Sequence, residues 1–337
     1  MESDPLRERV LRVLKRHGWN ATSFQVLEPD FQYWLHGDDA LVAYVDTGSA
    51  WVAAGAPVCA PEQLQSVAER FVADAKANGR RVCFFATEQR FSQATSYPAL
   101  LVGEQPVWDP RRWAETLKQT RSLREQLRRA RAAGVTLREV GAQEASVRSE
   151  LEALIHRWLG SRDMAPMGFL VQVRPFAFEE ERRYFVAEQS GKPVAFLAAV
   201  PVYARSGWLF EDLIRDPKAP NGTAELLVDA AMRAVAEKDS SYVTLGLVPL
   251  AGPVEGWLRV ARRGARPLYD FKGLHRFKAK FRPQSWEPLF LSFPPHGSGT
   301  AALYDSLNAF ARGGFVRFGL ETLSRGPTLA IQLLAVL

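Results

Sequence analysis

Cysteine is scarce in this sequence, and the patterns that would indicate a metal centre or a disulfide framework are missing. Only Cys59 and Cys83 occur among the 337 residues, far apart and in apolar surroundings. There is no C-x-x-C pair and no cluster of histidine with cysteine. We therefore expect two buried, reduced thiols and no metal site.

Long apolar runs and a leader segment are also missing. No stretch of 18 apolar residues occurs, so we expect no membrane-spanning helix. The N-terminus MESDPLRERV is charged and lacks the apolar region of a signal peptide. No G-x-S-x-G elbow or ordered Ser, His and Asp set supports a hydrolase triad, and His36 and His275 are weak candidates for a base. A hydrophobic content of 47% predicts a soluble globular protein, and the two reduced thiols are typical of a cytoplasmic one.

Positive charge is present, and it is concentrated in two segments. Residues 111–138 and 262–282 together carry a net charge of +14, so the rest of the chain sums to −8 against the total of +6. Local basicity of this kind favours an electrostatic docking surface over a generally basic protein. A solvated helix face is the alternative for the first segment.

The apolar pattern predicts an α/β fold with two units. Two β-rich runs flank Thr47-Gly48, which indicates a hairpin, and helical spacing follows over 61–78. Asp109 and Pro110 suit the start of a long helix that Gly134 can end. Beyond it, the strands of 183–215, a helix over 223–238 and a strand at 242–250 resemble the core of a GNAT acyltransferase.

The segment 268–288, LYDFKGLHRFKAKFRPQSWEP, mixes cations with aromatic residues. A buried strand would not tolerate so many unpaired cations, and a solvated loop would not need so many rings. The mixture suits a surface that binds a phosphate while rings pack beneath it. If the segment is a strand, Lys278 and Lys280 share one face. A basic strand edge that discourages aggregation is the alternative.

The same segment resembles the C-terminal signature of the phosphatidylglycerol lysyltransferase family, the multiple peptide resistance factors. Four other pieces resemble the family in the same order, and the resemblance covers about residues 20–293; these pieces are 33–58, 122–135, 164–169 and 211–227. It implies tandem GNAT-like acyltransferase units joined by a long basic helix. It also implies transfer of an amino acid, lysine or alanine, from aminoacyl-tRNA to a lipid hydroxyl such as that of phosphatidylglycerol.

The resemblance implies a site with an anion for the substrate ammonium and cations for the phosphates. Asp212 and Arg215 end a strand near the place where a GNAT-like sheet opens, so Asp212 is the candidate ammonium partner or base and Arg215 the candidate anion ligand. A strand-end ion pair is the alternative. Glu225 is either a second ammonium ligand or a carboxylate stabilised by a helix dipole. The candidate substrate and phosphate ligands are Asn221, Gly222, Tyr269, Lys272, Lys278 and Lys280.

The loop before the predicted helix at 223–238 argues against coenzyme A. GNAT enzymes that use this cofactor bind its pyrophosphate with backbone amides of a glycine-rich loop. Here Pro217 and Pro220 remove amides where such a loop needs them. We therefore expect no coenzyme A, and the family resemblance implies aminoacyl-tRNA as the cosubstrate and no other cofactor. The cations predicted to dock the tRNA lie on one helix face; they are Arg111, Lys118, Arg121, Arg128 and Arg129.

These patterns divide the chain at 1–108, 109–134, 135–293 and 294–337. The last segment is an amphipathic tail, expected either to meet an anionic membrane or to pack on the core. Full-length members of the family carry a transmembrane flippase ahead of this region, so the chain is expected to bind the inner face of the membrane peripherally. Two alternatives remain: transfer to a non-lipid acceptor, as in Fem-type enzymes, and a non-catalytic module that binds RNA or anionic membranes. The oligomeric state is not indicated.

Overall fold

The computed structural model describes residues 4–141, 144–161, 168–171, 173–249 and 271–311. Its helices are α1 (Pro5–His17), α2 (Leu64–Ala77), α3 (Gln89–Ala94), α4 (Trp113–Gln119), α5 (Arg121–Ala132), α6 (Ala145–Gly160), α7 (Thr223–Ala236), α8 (Phe271–Ala279) and α9 (Gly299–Phe310). Its strands are β1 (Gln32–His36), β2 (Ala40–Asp46), β3 (Ala50–Ala54), β4 (Arg81–Thr87), β5 (Ala99–Trp108), β6 (Val135–Val140), β7 (Arg183–Gln189), β8 (Lys192–Val202), β9 (Gly207–Arg215), β10 (Tyr242–Thr244), β11 (Val248–Pro249) and β12 (Ser285–Ser292).

The strands form one sheet, which confirms the predicted α/β class. Their order is β1-β2-β3-β4-β12-β5-β10-β9-β8-β7-β6, and β11 pairs with β5. The late strand β12 lies between the early strands β4 and β5, while β5 reaches across to β10. The predicted units 1–108 and 135–293 thus exchange strands within a continuous sheet. The tandem GNAT arrangement itself stays a prediction.

Local sequence explains the elements that carry the sheet. The predicted hairpin is present, with β2 antiparallel to β3 and Gly48 at a φ of +84° in the turn. The helix α2 buries Leu64, Val67 and Phe71 at the spacing of one helical face. The two parallel pairs, β3 with β4 and β9 with β10, are connected through the helices α2 and α7, because parallel neighbours need a crossover connection.

The predicted single helix over 109–134 is wrong. The chain forms a 3₁₀ turn at Pro110–Arg112, then α4, and breaks at Thr120 before α5. The Thr120 backbone is extended at ψ 87°, and its hydroxyl donates to the carbonyl of Thr116 at 2.8 Å. Arg124 donates to the carbonyls of Leu117 and Lys118, so side chains satisfy the acceptors that the break exposes.

Helices cover both faces of the sheet. On one face, called the α1 face, Val52, Phe85 and Val200 pack with α1, α9 and the 3₁₀ helix Ala21–Leu27, and α6 packs beside them. On the other, called the α7 face, Leu197 and Phe210 pack with α4, α5 and α7. In the predicted tail, α9 packs on the core, while residues 312–337 lie outside the described residues.

Candidate functional site

A β-bulge in β9 brings two acidic side chains to the same face of the sheet. The pairing of β9 with β8 skips one residue between Phe210 and Asp212, so Glu211 is the extra residue. An extra residue shifts the alternation of side chains by one position. Leu209 before the bulge and Ile214 after it both pack on the α1 face. Glu211 and Asp212 therefore also share that face.

A buried arginine lies beside these acids. Arg182 forms an ion pair with Glu211, and the two side chains are only 1% and 5% exposed. Its Nε donates to the carbonyl of Ala177 at 2.7 Å, and its guanidinium lies 5.2 Å from the ring centre of Phe24. A buried cation needs a compensating charge and hydrogen bonds, and Arg182 has both.

Glu28 and Asp212 complete this group, which we call the carboxylate cluster (Glu28, Arg182, Glu211 and Asp212). Burial raises the pKa of Glu28 to about 8, and the charge of Glu211 adds to the effect. Burial, followed by the charge of Glu211, also raises the pKa of Asp212. Three acids share one guanidinium, so the cluster holds at least one proton near neutral pH.

Three oxygen atoms of the cluster have no partner in the described residues. They are Oε2 of Glu28, Oε1 of Glu211 and Oδ2 of Asp212, and all three are buried. Buried polar atoms are rarely left without a hydrogen bond, because the missing bond costs about 1–3 kcal/mol. Such a concentration of free acceptors fits a ligand that brings hydrogen-bond donors.

A cavity of about 170 Å³ opens beside the cluster on the α1 face. We call it the central cavity; it is lined by Ala21, Thr22, Gln25, Phe85, Ala86, Glu88, Gln105, Leu170, Leu209, Glu211, Leu245, Gly246, Leu247, Leu289 and Phe310. Oγ1 of Thr22 and Oε1 of Gln105 are further buried acceptors without a partner in the described residues. Ala86 has a φ of +61°, a strained conformation for a non-glycine residue and one that is common beside functional sites.

A second acid, Glu88, lies on the opposite part of the cavity wall. Its carboxylate accepts from Arg205 at 3.0 Å, and burial raises its pKa. Arg205 also pairs with Glu287 at 2.8 Å and stacks 3.6 Å from the ring centre of Tyr242. The carboxylate cluster and this second group of Glu88, Arg205 and Glu287 together place five acids and two arginines around the cavity. Its surroundings therefore favour a cationic ligand.

An open groove of about 530 Å³ lies near the carboxylate cluster, since its lining includes Pro29, which follows Glu28, and Ala177, whose carbonyl accepts from Arg182. We call it the surface groove; it is lined by Arg7, Pro29, Arg148, Glu152, Ile155, His156, Leu159, Val173, Arg174, Pro175, Phe176, Ala177 and Phe178. Its floor is apolar, and Arg148 and Arg174 pair at its rim with Glu179 and Asp30. Arg182 joins the two spaces, since it binds Ala177 in the groove and Glu211 in the cavity.

The structure separates the three predicted catalytic residues. Asp212 lies in the carboxylate cluster, whereas Arg215 lies two residues after Leu213, which packs on the α7 face. Arg215 donates to the carbonyl of Ala219 at 3.1 Å and so holds the turn before α7. The alternative, an ion pair between Asp212 and Arg215 at the strand end, is therefore not formed. Their catalytic roles stay predictions.

Of the predicted site residues around the start of α7, Glu225 and Gly222 are engaged in packing, whereas Asn221 is not. Glu225 is buried and pairs with Lys280 at 2.7 Å, which leaves neither side chain free. Asn221 is exposed. Gly222 has a φ of +92°, and a Cβ there would lie 2.1 Å from the carbonyl oxygen of Gln126 in α5. Gly222 thus permits the close approach of α5 to α7.

Two of the predicted phosphate ligands, Lys272 and Lys278, lie on the helix α8, so the strand considered for this segment is not formed there. Lys278 is buried and donates to three backbone carbonyls of residues 245–247, which occupies all its N–H groups and contradicts a phosphate role. Lys272 is exposed on the same helix. Tyr269 lies outside the described residues.

The five predicted tRNA-docking cations lie on the 3₁₀ turn, α4 and α5. They are less free than their spacing alone suggests: Arg111 pairs with Asp109, and Arg128 and Arg129 both pair with Glu125. The helix α5 packs on the α7 face, whereas the central cavity lies on the α1 face. Any tRNA held there would have to reach the cavity around an edge of the sheet.

Sequence reasoning missed four residues that the structure brings together: Glu28, Glu88, Arg182 and Glu211. A signal existed for Glu211, because two consecutive acids interrupt the apolar strand GWLFEDLIR. Glu28 and Arg182 stand among other charged residues, and nothing in their spacing distinguishes them. Residues 162–167, which include most of MAPMGF, lie outside the described residues.

The chain matches the family model described as "Phosphatidylglycerol lysyltransferase, C-terminal" over residues 11–293. It is 24% identical over 319 residues to the phosphatidylglycerol lysyltransferase of Bacillus subtilis (strain 168), covering 90% of this chain and 36% of that protein. L-PGS from Bacillus licheniformis superposes with a TM-score of 0.78 at 22% identity, over 91% of this chain and 97% of that one.

A C-terminal domain of a putative lysylphosphatidylglycerol synthetase from Agrobacterium fabrum superposes with a TM-score of 0.76 at 22% identity, over 92% of this chain and 98% of that one. The chain thus spans only about a third of the curated relative described above. Within the described residues, no helix has both the length and the apolarity to span a bilayer.

Proposed function

Because the chain belongs to the family of phosphatidylglycerol lysyltransferase C-terminal domains, we propose that it transfers an amino acid from aminoacyl-tRNA to a hydroxyl of an anionic membrane lipid. The observation that carries the proposal is the position of the carboxylate cluster, which separates an acid-lined cavity from an apolar groove with a cationic rim. A transferase that joins two unlike substrates needs two such spaces with one reacting centre between them.

The central cavity is the proposed site for the aminoacyl group. An ammonium has three N–H donors, and the wall offers unpartnered acceptors on Thr22, Gln105 and Glu211. A volume of about 170 Å³ admits an amino acid side chain and excludes a nucleotide. The tRNA itself would stay outside, and the basic surface on α4 and α5 is its proposed docking site.

The surface groove is the proposed site for the lipid. Apolar side chains of α6 and of residues 173–178 suit acyl chains, and Arg148 and Arg174 suit a phosphate. Both arginines pair with partly exposed acids, and such pairs are weak enough to exchange for a lipid phosphate. A chain that uses this groove works at the membrane surface, and we propose the inner face of the cell membrane.

The chemistry requires one proton acceptor that can return the proton. The lipid hydroxyl oxygen attacks the ester carbonyl carbon, and its proton passes to an ionised carboxylate of the cluster. Asp212 is the first candidate, because its raised pKa makes its ionised form the stronger proton acceptor, although it lowers the fraction that is ionised. The bond between that carbon and the ribose oxygen then breaks, and the ribose oxygen takes the proton. One ester replaces another, so no energy carrier and no redox partner is needed. Arg182 keeps part of the cluster ionised at neutral pH.

We propose that coenzyme A has no role. The start of α7 would be its pyrophosphate site, but Gly222 there lies against the carbonyl of Gln126, and Glu225 adds a buried acid. Neither an acceptor carbonyl nor a carboxylate favours a pyrophosphate. Transfer from tRNA to a soluble, non-lipid acceptor is the second candidate, and the apolar floor of the surface groove argues against it.

The test is product formation by the purified chain. Charged tRNA and vesicles of phosphatidylglycerol are the substrates, and a ninhydrin-positive phospholipid that disappears with ribonuclease is the expected product. Cells that express the chain should accumulate the same lipid. Transfer only to a water-soluble acceptor would support the Fem-like alternative, and no transfer to any acceptor would support a binding module.

A further inference from the structure

Lys278 makes a contact that the proposed reaction does not explain. Its Nζ donates to the carbonyl oxygens of Leu245, Gly246 and Leu247 at 2.6, 2.9 and 3.0 Å. The residue is 7% exposed, and its ammonium forms no ion pair within the described residues. Burial lowers the pKa of Lys278 to about 7. A buried cation held by neutral carbonyls alone is costly and is seldom kept without a reason.

The three carbonyls belong to a wall of the central cavity. Leu245, Gly246 and Leu247 all line that cavity, and they connect β10 to β11. The bonds from Lys278 fix three successive peptide groups, with Gly246 at a φ of +72°. A short, irregular loop without such bonds would have several accessible conformations.

The far end of the same wall is also fixed. In β11, Val248 pairs with Glu104 of β5, and its carbonyl oxygen would lie 2.2 Å from a Cβ placed at Gly103. The wall is thus held by β5 on one side and by Lys278 on the other. Only the first of these anchors is regular secondary structure, so the position of residues 245–247 depends on the ammonium group.

We propose that Lys278 is a positioning residue, whose ammonium holds the 245–247 wall of the central cavity in the shape that receives the transferred group. This inference rests on the proposed function for its kinetic consequence, but the structural role of the wall is independent of the reaction. Misplacement of a cavity wall by about 1 Å can lower a rate by about 100-fold. Lys278 itself touches neither substrate.

The experiment replaces the ammonium and then supplies it again. Lys278→Met keeps most of the side-chain volume without the charge, and Lys278→Ala leaves a space lined by the three carbonyls. We expect both variants to lower kcat/KM for aminoacyl-tRNA by about 100-fold. Added propylammonium should restore a large part of the activity of Lys278→Ala only. Tetramethylammonium, which has no N–H, should restore none, and Lys192→Met, at the exposed start of β8, should behave as wild type.

A second measurement separates this inference from the proposed function. Hydrogen exchange of the amides of 245–248 should accelerate in Lys278→Met while exchange in α7 stays unchanged. If exchange accelerates in Lys278→Met but the wild-type protein transfers no amino acid, the inference is supported and the proposed function is contradicted. Unchanged exchange together with normal turnover in Lys278→Met would overturn the inference. So would a folded Lys278→Ala variant whose low activity is not restored by propylammonium.

Discussion

Glu211 and Asp212 are neighbours in the sequence, yet both side chains lie on the α1 face of the sheet, because the bulge in β9 adds one residue between Phe210 and Asp212. In a regular strand the two carboxylates would lie on opposite faces. The bulge therefore brings Glu211 and Asp212 together in the carboxylate cluster. This cluster lies between the central cavity and the surface groove.

The raised pKa of Glu28 predicts a pH-dependent stability. The folded protein holds this proton up to about pH 8, whereas an unfolded chain releases it near the usual value of 4.5. The stabilisation is complete below pH 4.5 and is lost as the pH rises through 8. Wild type should therefore lose stability relative to Glu28→Gln, at about 1.4 kcal/mol for each pH unit between these two pKa values.

Chemical denaturation at pH 5 and pH 8 measures this difference. The difference in the free energy of unfolding between Glu28→Gln and wild type should be small at pH 5. At pH 8 this difference should have shifted strongly in favour of Glu28→Gln. The control is Glu62→Gln, an exposed position where the corresponding difference should stay near zero. Equal differences at both pH values would show that Glu28 is ionised throughout.

Arg182 should be essential for stability because it is the one cation within the carboxylate cluster. Removing one partner of a buried ion pair typically costs about 3–5 kcal/mol. We expect Arg182→Met to lower the free energy of unfolding by that amount at pH 7, and less at pH 5, where protons replace the lost charge. The double variant Arg182→Met/Glu211→Met should recover much of the loss, whereas Arg12→Met, on the exposed part of α1, should change little.

The rim of the surface groove should govern lipid affinity. Each arginine near an anionic membrane contributes about 1 kcal/mol, so Arg148→Gln with Arg174→Gln should raise KM for phosphatidylglycerol by about five- to thirty-fold. KM for aminoacyl-tRNA should stay the same, and Lys76→Gln, on exposed α2, should affect neither. An effect on KM for aminoacyl-tRNA alone would place the donor, not the lipid, in this groove.

The basic surface on α4 and α5 should make tRNA binding salt-dependent. Each neutralised phosphate contributes about −0.7 to −0.9 to the slope of log K against log salt. Replacing Arg121, Arg128 and Arg129 by glutamine should flatten that slope and leave kcat unchanged. Arg70→Gln, on the exposed side of α2, is the control. If this control and the triple variant have equal slopes, the basic surface is an ordinary solvated helix face that does not bind tRNA. Because Glu125 already pairs with two of the arginines, we expect the change to be smaller than three contacts would give.

The sequence predicted the elements better than it predicted the site. The β2–β3 hairpin and α2 follow from local periodicity, and both are present. The break at Thr120 depends on a side chain seven residues away from one of the carbonyls it satisfies, so helical spacing alone could not predict it. The exchange of β5 and β12 depends on pairing across some 180 residues of sequence, which no local pattern encodes.

Two site residues show where the limit lies. The place of Asp212 at a strand end makes it a candidate, but its partners Glu28 and Arg182 are brought to it by the 3₁₀ helix Ala21–Leu27 and by the start of β7. The sequence favours a phosphate role for Lys278, because cations beside aromatic residues suit one. Only the fold shows that its ammonium is turned inward to backbone carbonyls.

The proposed mechanism requires Asp212 in the transfer step, and single-turnover transfer by Asp212→Asn is the sharpest test of that role. The variant keeps the size of the side chain, and an equally treated Asp38→Asn, which changes an exposed carboxylate, is the control. With enzyme in excess over charged tRNA and with saturating phosphatidylglycerol vesicles, we predict a slower transfer step, corresponding to an activation free energy higher by about 2–4 kcal/mol, with tRNA binding and the unfolding transition preserved. A rate equal to that of wild type and Asp38→Asn would contradict the account.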